Sequence, residues 1–200
     1  MLNIVLYRPE IPANTGNIGR TCVVAGARLH LVGPIGFSLD DKTVRRAGLG
    51  YWQNLDVATY EDWRDFLATN GLVPDDARLH LLTKKARRTY AESTYRDGDF
   101  LVFGSESSGI PEALLAAAPE RCERIPMLPD STSLANADAW ETHEQALGHA
   151  EEDHAAILQQ DICGNFVDPG DYRISALNLS NAAAIVLYEA LRQTGFPGME

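Results

Sequence analysis

The 200-residue chain is 45% hydrophobic and 22% charged, an ordinary globular composition and enough length for one domain with a sizeable core. Its 16 Gly and 10 Pro are average usage, which excludes collagen-like and low-complexity architectures, and no apolar run approaches the roughly 20 residues of a membrane helix. A net charge of −11, from 28 acids against 17 bases, argues by itself against a nucleic-acid partner. The opening Met1-Leu-Asn-Ile-Val-Leu-Tyr-Arg8 has neither the basic region nor the cleavage site of a secretory signal, so the expected location is the cytoplasm. Cys22, Cys122 and Cys163 are odd in number and form no CxxC, which predicts reduced thiols and no disulfide framework or zinc ribbon.

In chain order, Leu2–Leu6 and Arg28–Val32 are short apolar runs that read as strands. Between them Asn14-Thr15-Gly16-Asn17 enters a helix that runs through Arg20 to Ala25, completing a strand–helix–strand unit. Asp40–Ala47 reads as a short helix and Tyr60–Asn70 as a longer one closed by Gly71. Leu79–Thr83, Phe100–Phe103 and Arg124–Met127 read as further strands, and Pro111–Ala118 as a helix with Pro at its start. Trp140, His143, Leu147, Ala150, His154 and Ile157 keep helical spacing, and from Asp161 the chain becomes turn-rich, as a returning loop. Asn178–Thr194 is the most regular helix, with Leu179, Ala183, Val186, Leu187 and Ala190 on one stripe and further apolar sides suited to a second subunit. The order implies an α/β fold: a parallel sheet with helices on both faces.

Charge is uneven along the chain. Residues 135–177 hold nine acids and one base, a net −8, which leaves −3 for the other 157 residues. Within that remainder Lys42, Arg45 and Arg46 form one basic cluster and Lys84, Lys85, Arg87 and Arg88 another, both compatible with RNA. His143 and His154 lie roughly 16 Å apart on a helix of about 1.5 Å rise per residue, too far to share one metal ion.

Three motifs carry chemistry. Pro12-Ala-Asn14-Thr15-Gly16-Asn17-Ile-Gly19-Arg20 is a polar turn entering a helix. Its backbone N–H groups and dipole suit a phosphate, with Arg20 one turn in, while Asn14 and Thr15 equally suit simple capping. Leu101-Val-Phe103-Gly104-Ser105-Glu106-Ser107-Ser108-Gly109-Ile110-Pro111 is a buried strand breaking into a loop at the carboxyl edge where α/β sheets bind ligands. Ile110-Pro111 stand where a P-loop requires Lys-Ser/Thr, which excludes an NTPase. The third motif is split: Arg124-Ile125-Pro126-Met127-Leu128-Pro129, then Asn178-Leu179-Ser180-Asn181-Ala182.

On these motifs, in this order, the chain resembles the SPOUT superfamily of RNA methyltransferases, most closely the compact tRNA (cytidine/uridine-2'-O-)-methyltransferases of the wobble nucleotide in leucine tRNAs. The resemblance runs from Met1 to about Leu134 and resumes from Asn178 to Gly198. It implies a C-terminal deep trefoil knot, S-adenosylmethionine as cofactor, methyl transfer to a ribose 2'-hydroxyl of a tRNA anticodon stem-loop, a homodimer, and no metal. Residue by residue it implies a cofactor pocket at Leu82, Gly104, Ile125, Met127, Ser133, Leu179 and Asn181. Arg20 then matches the catalytic arginine, with Asn14, Glu106 and Asn178 around it and Tyr188 on the last helix, and Lys42, Arg45, Arg46, Lys84 and Lys85 are the expected RNA-binding residues.

Two positions depart from that pattern. Ser108 stands where the relatives carry an arginine. Residues 135–177 interrupt the third motif, so the chain reads as one domain over 1–200 with an acidic, helical insertion in the knot region. Joining Ser133-Leu134 to Asn178 restores the family string, whereas a join after Thr132 puts Ala176, beside Ser175, in the serine position. Such an excursion costs little closure entropy, but its charge repels phosphate. The alternative functions are a knotted RNA-binding protein without catalysis, and a 2'-O-methyltransferase of another RNA.

Overall fold

The computed structural model describes residues 1–39, 49–128, 157, 159–167 and 176–200. These form a six-stranded parallel sheet of β1 (Asn3–Tyr7), β2 (Arg28–Val32), β3 (Val57–Tyr60), β4 (Leu79–Leu82), β5 (Phe100–Phe103) and β6 (Cys122–Glu123). The order is β3-β2-β1-β5-β4-β6, so the chain reverses direction across the sheet between β1 and β5. Because every pair is parallel, the carboxyl ends line up: Leu6 sits opposite Phe103, Leu82 opposite Phe103 and Glu123, and Tyr7 opposite Val32. Loops that follow β1, β4, β5 and β6 therefore leave one edge together, the place where such sheets bind ligands.

Alternation along the strands feeds two cores. Ile4, Leu6, Leu29, Leu31, Leu101 and Phe103 face α1 (Pro12–Ala25) and the last helix, α4 (Leu179–Thr194), through Ile18, Cys22, Val186, Leu187 and Ala190. Val5, Val32, Leu79, Leu81 and Val102 face the other way, against α2 (Trp63–Asn70) and α3 (Glu112–Ala117) through Phe66 and Leu115. Strands buried on both faces explain the continuous apolar runs seen in the sequence. Burial also pushes the Cys22 thiol up to about 12, which leaves it an inert packing group. No helix among the described residues is long and apolar enough to cross a membrane.

The structure corrects four boundaries. Val57–Tyr60 is a strand, and the helix expected from Tyr60 starts at Trp63, where the Asp62 carboxylate accepts the Asp65 N–H at 2.8 Å. The last strand is Cys122–Glu123; the expected Arg124–Met127 run lies beyond it, apart from a single bridge of Arg124 to Thr89. Helix α1 begins at Pro12, two residues before the polar turn, with Ile11 as an extended cap. Pro111 caps α3 from outside rather than opening it. The expected helices at 40–47 and 140–158 lie outside the described residues, apart from helical Ile157.

Part of the expected insertion anchors firmly. Ile157 and Phe166, each 1% exposed, fill the second core beside Leu81, Ala86 and Cys122. Asn165 donates from Nδ2 to the carbonyls of Pro119 and Cys122 at 2.8 and 2.7 Å and accepts the Arg88 N–H at 2.8 Å. Val167 donates its N–H to the Lys85 carbonyl at 2.9 Å, and the Asp161 carboxylate holds the turn by accepting from the N–H groups of Asn165 and Phe166. Ile157 and Phe166 thus pack on the face opposite α1 and α4.

Candidate active site

At the carboxyl edge of β1 and β5, three side chains far apart in sequence form one hydrogen-bonded chain. Asn178 donates from Nδ2 to Oδ1 of Asn14 at 3.0 Å, and Asn14 donates from Nδ2 to Oε1 of Glu106 at 2.9 Å. Each residue has a local reason to be there. Asn14 sits in the first turn of α1, 5% exposed, because the helix starts early at Pro12. Asn178 is the N-cap of α4, its Oδ1 accepting from the N–H and hydroxyl of Ser180 at 2.9 and 2.6 Å. Glu106 projects from the loop after β5.

That loop is exchanged with the one after β1. The Glu106 carboxylate accepts the Glu10 N–H at 2.9 Å and the Ile11 N–H at 3.3 Å, and the Glu10 carboxylate in return accepts the N–H and hydroxyl of Ser107 at 3.1 and 2.7 Å. The positive end of α1, expected to hold a phosphate, thus already faces the Glu106 carboxylate. The capping expectation for Asn14 and Thr15 fails for the same reason: both are buried inside the first turn, and Asn14 spends its side chain on the site.

Gly104 lets the loop fold back on itself. A Cβ at this position would stand 1.9 Å from the Gly109 carbonyl carbon and 2.2 Å from the Ile110 nitrogen, so only glycine fits. Beside it Leu82 at the end of β4, Ile125 after β6 and Leu179 at the start of α4 are all half-buried against the first core. The two halves of the split third motif therefore meet the same core face. Apolar walls next to exposed loop backbone suit an adenosyl group, held by packing and main-chain groups. Met127 is half-buried in the segment after β6, and Asn181 is exposed on the first turn of α4.

Arg20 is hydrogen-bonded to none of Asn178, Asn14 and Glu106 among the described residues. It is exposed, eight residues beyond the start of α1 rather than one turn in, and its guanidinium carbon lies 4.9 Å from the centroid of the Tyr51 ring. Tyr188 is 44% exposed on the outer side of α4 with Ile185, at 38%. Lys85 departs from expectation: its ammonium is paired with the buried Glu112 carboxylate at the start of α3 and its side chain is 12% exposed, so it offers no open charge to RNA. Lys84 is exposed next to it. Ser133, Lys42, Arg45 and Arg46 lie outside the described residues. Sequence reasoning missed Glu10 and Tyr51. The Pro9-Glu10-Ile11-Pro12 string was a signal for Glu10, since flanking prolines fix the backbone direction on both sides; Tyr51 had none.

A separate cleft at the β6 side is lined by Arg88, Glu120, Arg121, Cys163 and Asn165, where the 157–167 segment docks.

Residues 1–140 match the SpoU rRNA Methylase family. The tRNA (cytidine(34)-2'-O)-methyltransferase of Escherichia coli (strain K12) is 40% identical over 199 residues, covering 99% of this chain and 97% of that protein. A putative tRNA (cytidine(34)-2'-O)-methyltransferase of Listeria monocytogenes serotype 4b is 39% identical, covering 97% and 89%. Among solved structures, a putative RNA methyltransferase from Bacillus anthracis superposes with a TM-score of 0.70 at 34% identity, covering 100% of this chain and 98% of that one. A structure described as giving insights into the 2-OH methylation of C/U34 on tRNA superposes with a TM-score of 0.69 at 33% identity, covering 98% and 97%.

Proposed function

We propose, since the chain belongs to the SpoU rRNA methylase family, that it transfers a methyl group from S-adenosylmethionine to the ribose 2'-hydroxyl of nucleotide 34 in tRNA. The observation that carries this reading is the hydrogen-bonded chain Asn178–Asn14–Glu106, set beside the half-buried Leu82, Ile125 and Leu179 at the carboxyl edge of the sheet. The split third motif still delivers Asn178 to Asn14, which favours an enzyme over a binding protein without catalysis.

When bound against Leu82, Gly104, Ile125 and Leu179, with Met127, Ser133 and Asn181 completing the pocket, the cofactor supplies a methyl group on a cationic sulfur. The chain's own work is to present the ribose. In the reaction the 2'-oxygen bonds the methyl carbon as the carbon–sulfur bond breaks, the bonding pair staying on the sulfur of the S-adenosylhomocysteine product, and the hydroxyl proton passes to solvent water. Arg20, held over Tyr51, hydrogen-bonds that oxygen and the neighbouring phosphate and stabilises the negative charge as the proton leaves; a guanidinium has donors only and does not take the proton. Glu106 is no free base either, because its oxygens accept from Asn14, Glu10 and Ile11. It is a positioning residue that orients the Asn14 amide.

In this reading residues 1–200 form one SPOUT domain with a C-terminal trefoil knot, in which 135–177 are an acidic insertion. Two copies pair through the outer side of α4, where Ile185 and Tyr188 are exposed, and Tyr188 serves the partner's site. The anticodon stem-loop, of leucine tRNAs first, lies along Lys84 and the cluster Lys42, Arg45 and Arg46, in the cytoplasm.

The deciding experiment incubates the protein with S-adenosylmethionine and unmodified leucine tRNA transcripts and maps ribose methylation by mass spectrometry. A new methyl on the ribose of nucleotide 34 is the expected result. Tight tRNA binding with no methyl incorporated at any ribose would replace the enzyme by the binding protein.

A further inference from the structure

We propose that the cleft at the β6 side is a second phosphate-binding site, built on Arg88 and Arg121, which takes a phosphodiester of the tRNA backbone; the tRNA part of this rests on the functional reading above. The cleft has a volume of about 420 Å³ and joins Arg88, from the loop after β4, to Arg121, directly before β6. Asn165 fixes both walls. Only 9% exposed, it accepts the Arg88 N–H at 2.8 Å and donates to the carbonyls of Pro119 and Cys122 at 2.8 and 2.7 Å. Each guanidinium is then anchored through one of its nitrogens to a neutral acceptor. Arg88 donates from Nη2 to the Glu120 carbonyl, and Arg121 donates from Nε to the Asp75 carbonyl at 3.2 Å.

The charge of these groups is left without a partner. Among the described residues neither Arg88 nor Arg121 is in an ion pair, although Glu120 lines the same cleft. Neighbouring carboxylates are taken by neutral donors: Asp161 accepts the N–H groups of Asn165 and Phe166 at 3.0 and 2.9 Å, and Glu92 accepts the N–H and hydroxyl of Thr89, both at 2.7 Å. The Arg88 Nε is moreover buried with no hydrogen-bond partner, and so is Nε of Arg124, whose own backbone N–H donates to the Arg88 carbonyl at 2.9 Å. A buried charged donor without an acceptor is costly, and such groups in native proteins mark a missing water or ion. Water satisfies a donor but leaves the charges uncompensated, whereas an anion does both. Phosphate oxygens match the forked donors of a guanidinium through two parallel hydrogen bonds. Lys84 and Arg87, both exposed on the loop that carries Arg88, extend the positive surface toward the cleft on a protein of net charge −11, which gives a polyanion its approach.

The test uses the full chain with Arg88→Gln and Arg121→Gln, which remove the charge, and Arg88→Lys, which keeps it. Two probes are applied. Binding of a leucine tRNA transcript is followed by fluorescence anisotropy over a series of salt concentrations, and binding of inorganic phosphate by the rise in Tm relative to chloride at equal ionic strength. Each Gln variant is expected to weaken tRNA binding about three- to tenfold and to reduce the slope of log Kd against log salt by about one, while Arg88→Lys keeps most of the slope. Phosphate at tens of millimolar is expected to raise the wild-type Tm by about 2–4 °C and that of the Gln variants by less. Wild-type slopes in both Gln variants, with the phosphate shift lost, make free phosphate the ligand and overturn the tRNA role. Wild-type slopes and a wild-type phosphate shift in both overturn the site itself. A wild-type chain that binds no tRNA, with a phosphate shift that the Gln variants lose, overturns the functional reading and supports the site.

Discussion

Asn178 donates its side-chain N–H to the side-chain carbonyl of Asn14 at 3.0 Å, and the same Asn178 caps α4 through its other side-chain atom, which accepts the Ser180 N–H at 2.9 Å. One residue therefore ties the last helix to the first, and the two jobs use different atoms.

Asn178→Asp separates them. A carboxylate still accepts from Ser180, so α4 keeps its cap, but the donor to Asn14 is replaced by an acceptor that faces another acceptor. Losing one hydrogen bond with a stranded partner costs about 1–3 kcal/mol. We expect Tm lowered by roughly 2–12 °C, from the lost hydrogen bond alone, and kcat lowered about ten- to a hundredfold. Asn178→Ala loses the cap as well, at about 1 kcal/mol of stability. Thermal unfolding separates the two variants through the cap, while single-turnover methyl transfer should fall in both; wild-type activity in both would deny the donor any role.

Arg20 lies over Tyr51 because α1 has no side chain at Gly19. A Cβ there would stand 3.0 Å from Leu55 Cδ2 and 3.2 Å from Trp52 Cζ3, so the segment that carries Tyr51 can approach only a bare helix surface. Arg20→Ala is expected to lower methyl transfer about a hundred- to a thousandfold, with the protein folded and cofactor affinity intact, since the side chain is exposed. Tyr51→Ala removes about 0.5–1 kcal/mol of cation–π contact, a two- to fivefold loss of rate, and Tyr51→Phe restores it. Gly19→Ala moves the platform and follows Tyr51→Ala, with about 1 kcal/mol of stability lost to overpacking. Steady-state rates on tRNA, with circular dichroism for the fold, check the series.

The sheet was legible because strands buried on both faces leave near-continuous apolar runs, and Leu2–Leu6, Arg28–Val32 and Phe100–Phe103 stand within a residue of their observed positions. Val57–Tyr60 was missed because Val-Ala-Thr-Tyr is short, carries a small and a polar residue and is only partly buried as the edge strand. Asn14, Glu106 and Asn178 were found through a family resemblance, since separations of 92 and 164 positions leave no periodic signal. The exchange of Glu10 and Glu106 between loops was not legible at all: it depends on β1 and β5 being neighbours, which chain order does not reveal. Lys85 misled because a cation in a basic run looks solvated until its partner, here the buried Glu112, is known.

Phe166 tests whether residues 157–167 are a removable addition or part of the fold. Its ring is 1% exposed in the second core, and its neighbours Asn165 and Val167 hold the backbone of 85–88 and the carbonyls of Pro119 and Cys122. Phe166→Ala should cost about 3–5 kcal/mol of unfolding free energy, seen as a lower urea midpoint with the slope retained. Deletion of 135–177 removes Ile157 and Asn165 too and should be still less stable. Deletion of 135–155 keeps these anchors and should leave the urea midpoint near wild type. That shorter variant is the proper one in which to measure how the acidic charge of the remainder affects tRNA binding, which should tighten most at low salt.

Two buried histidines make stability depend on pH in opposite directions. His30, between Tyr60 Oη at 2.8 Å and Asn3 Oδ1 at 3.0 Å, has its pKa lowered to about 4 by burial, with Arg28 adding to the effect. Its folded pKa is below the ordinary value of about 6.5, so its contribution is complete above that pH and is lost as pH falls toward 4, roughly 3 kcal/mol in all. His80 contacts Asp99 at 3.1 Å and Glu123 at 3.2 Å; burial disfavours its charged form, but the two carboxylates override burial and raise the pKa. Its contribution is complete below about 6.5 and is lost as pH rises through the raised folded value. Urea unfolding from acid to alkaline pH should therefore show stability falling on both sides of a maximum. His80→Gln should flatten the alkaline limb and leave the acid limb, at an overall cost of about 3–5 kcal/mol for removing the cation between two buried carboxylates, which keep their bonds from Ser93, Tyr95 and Arg96; His30→Gln should flatten the acid limb alone. An alkaline limb that survives in His80→Gln would assign it to another group.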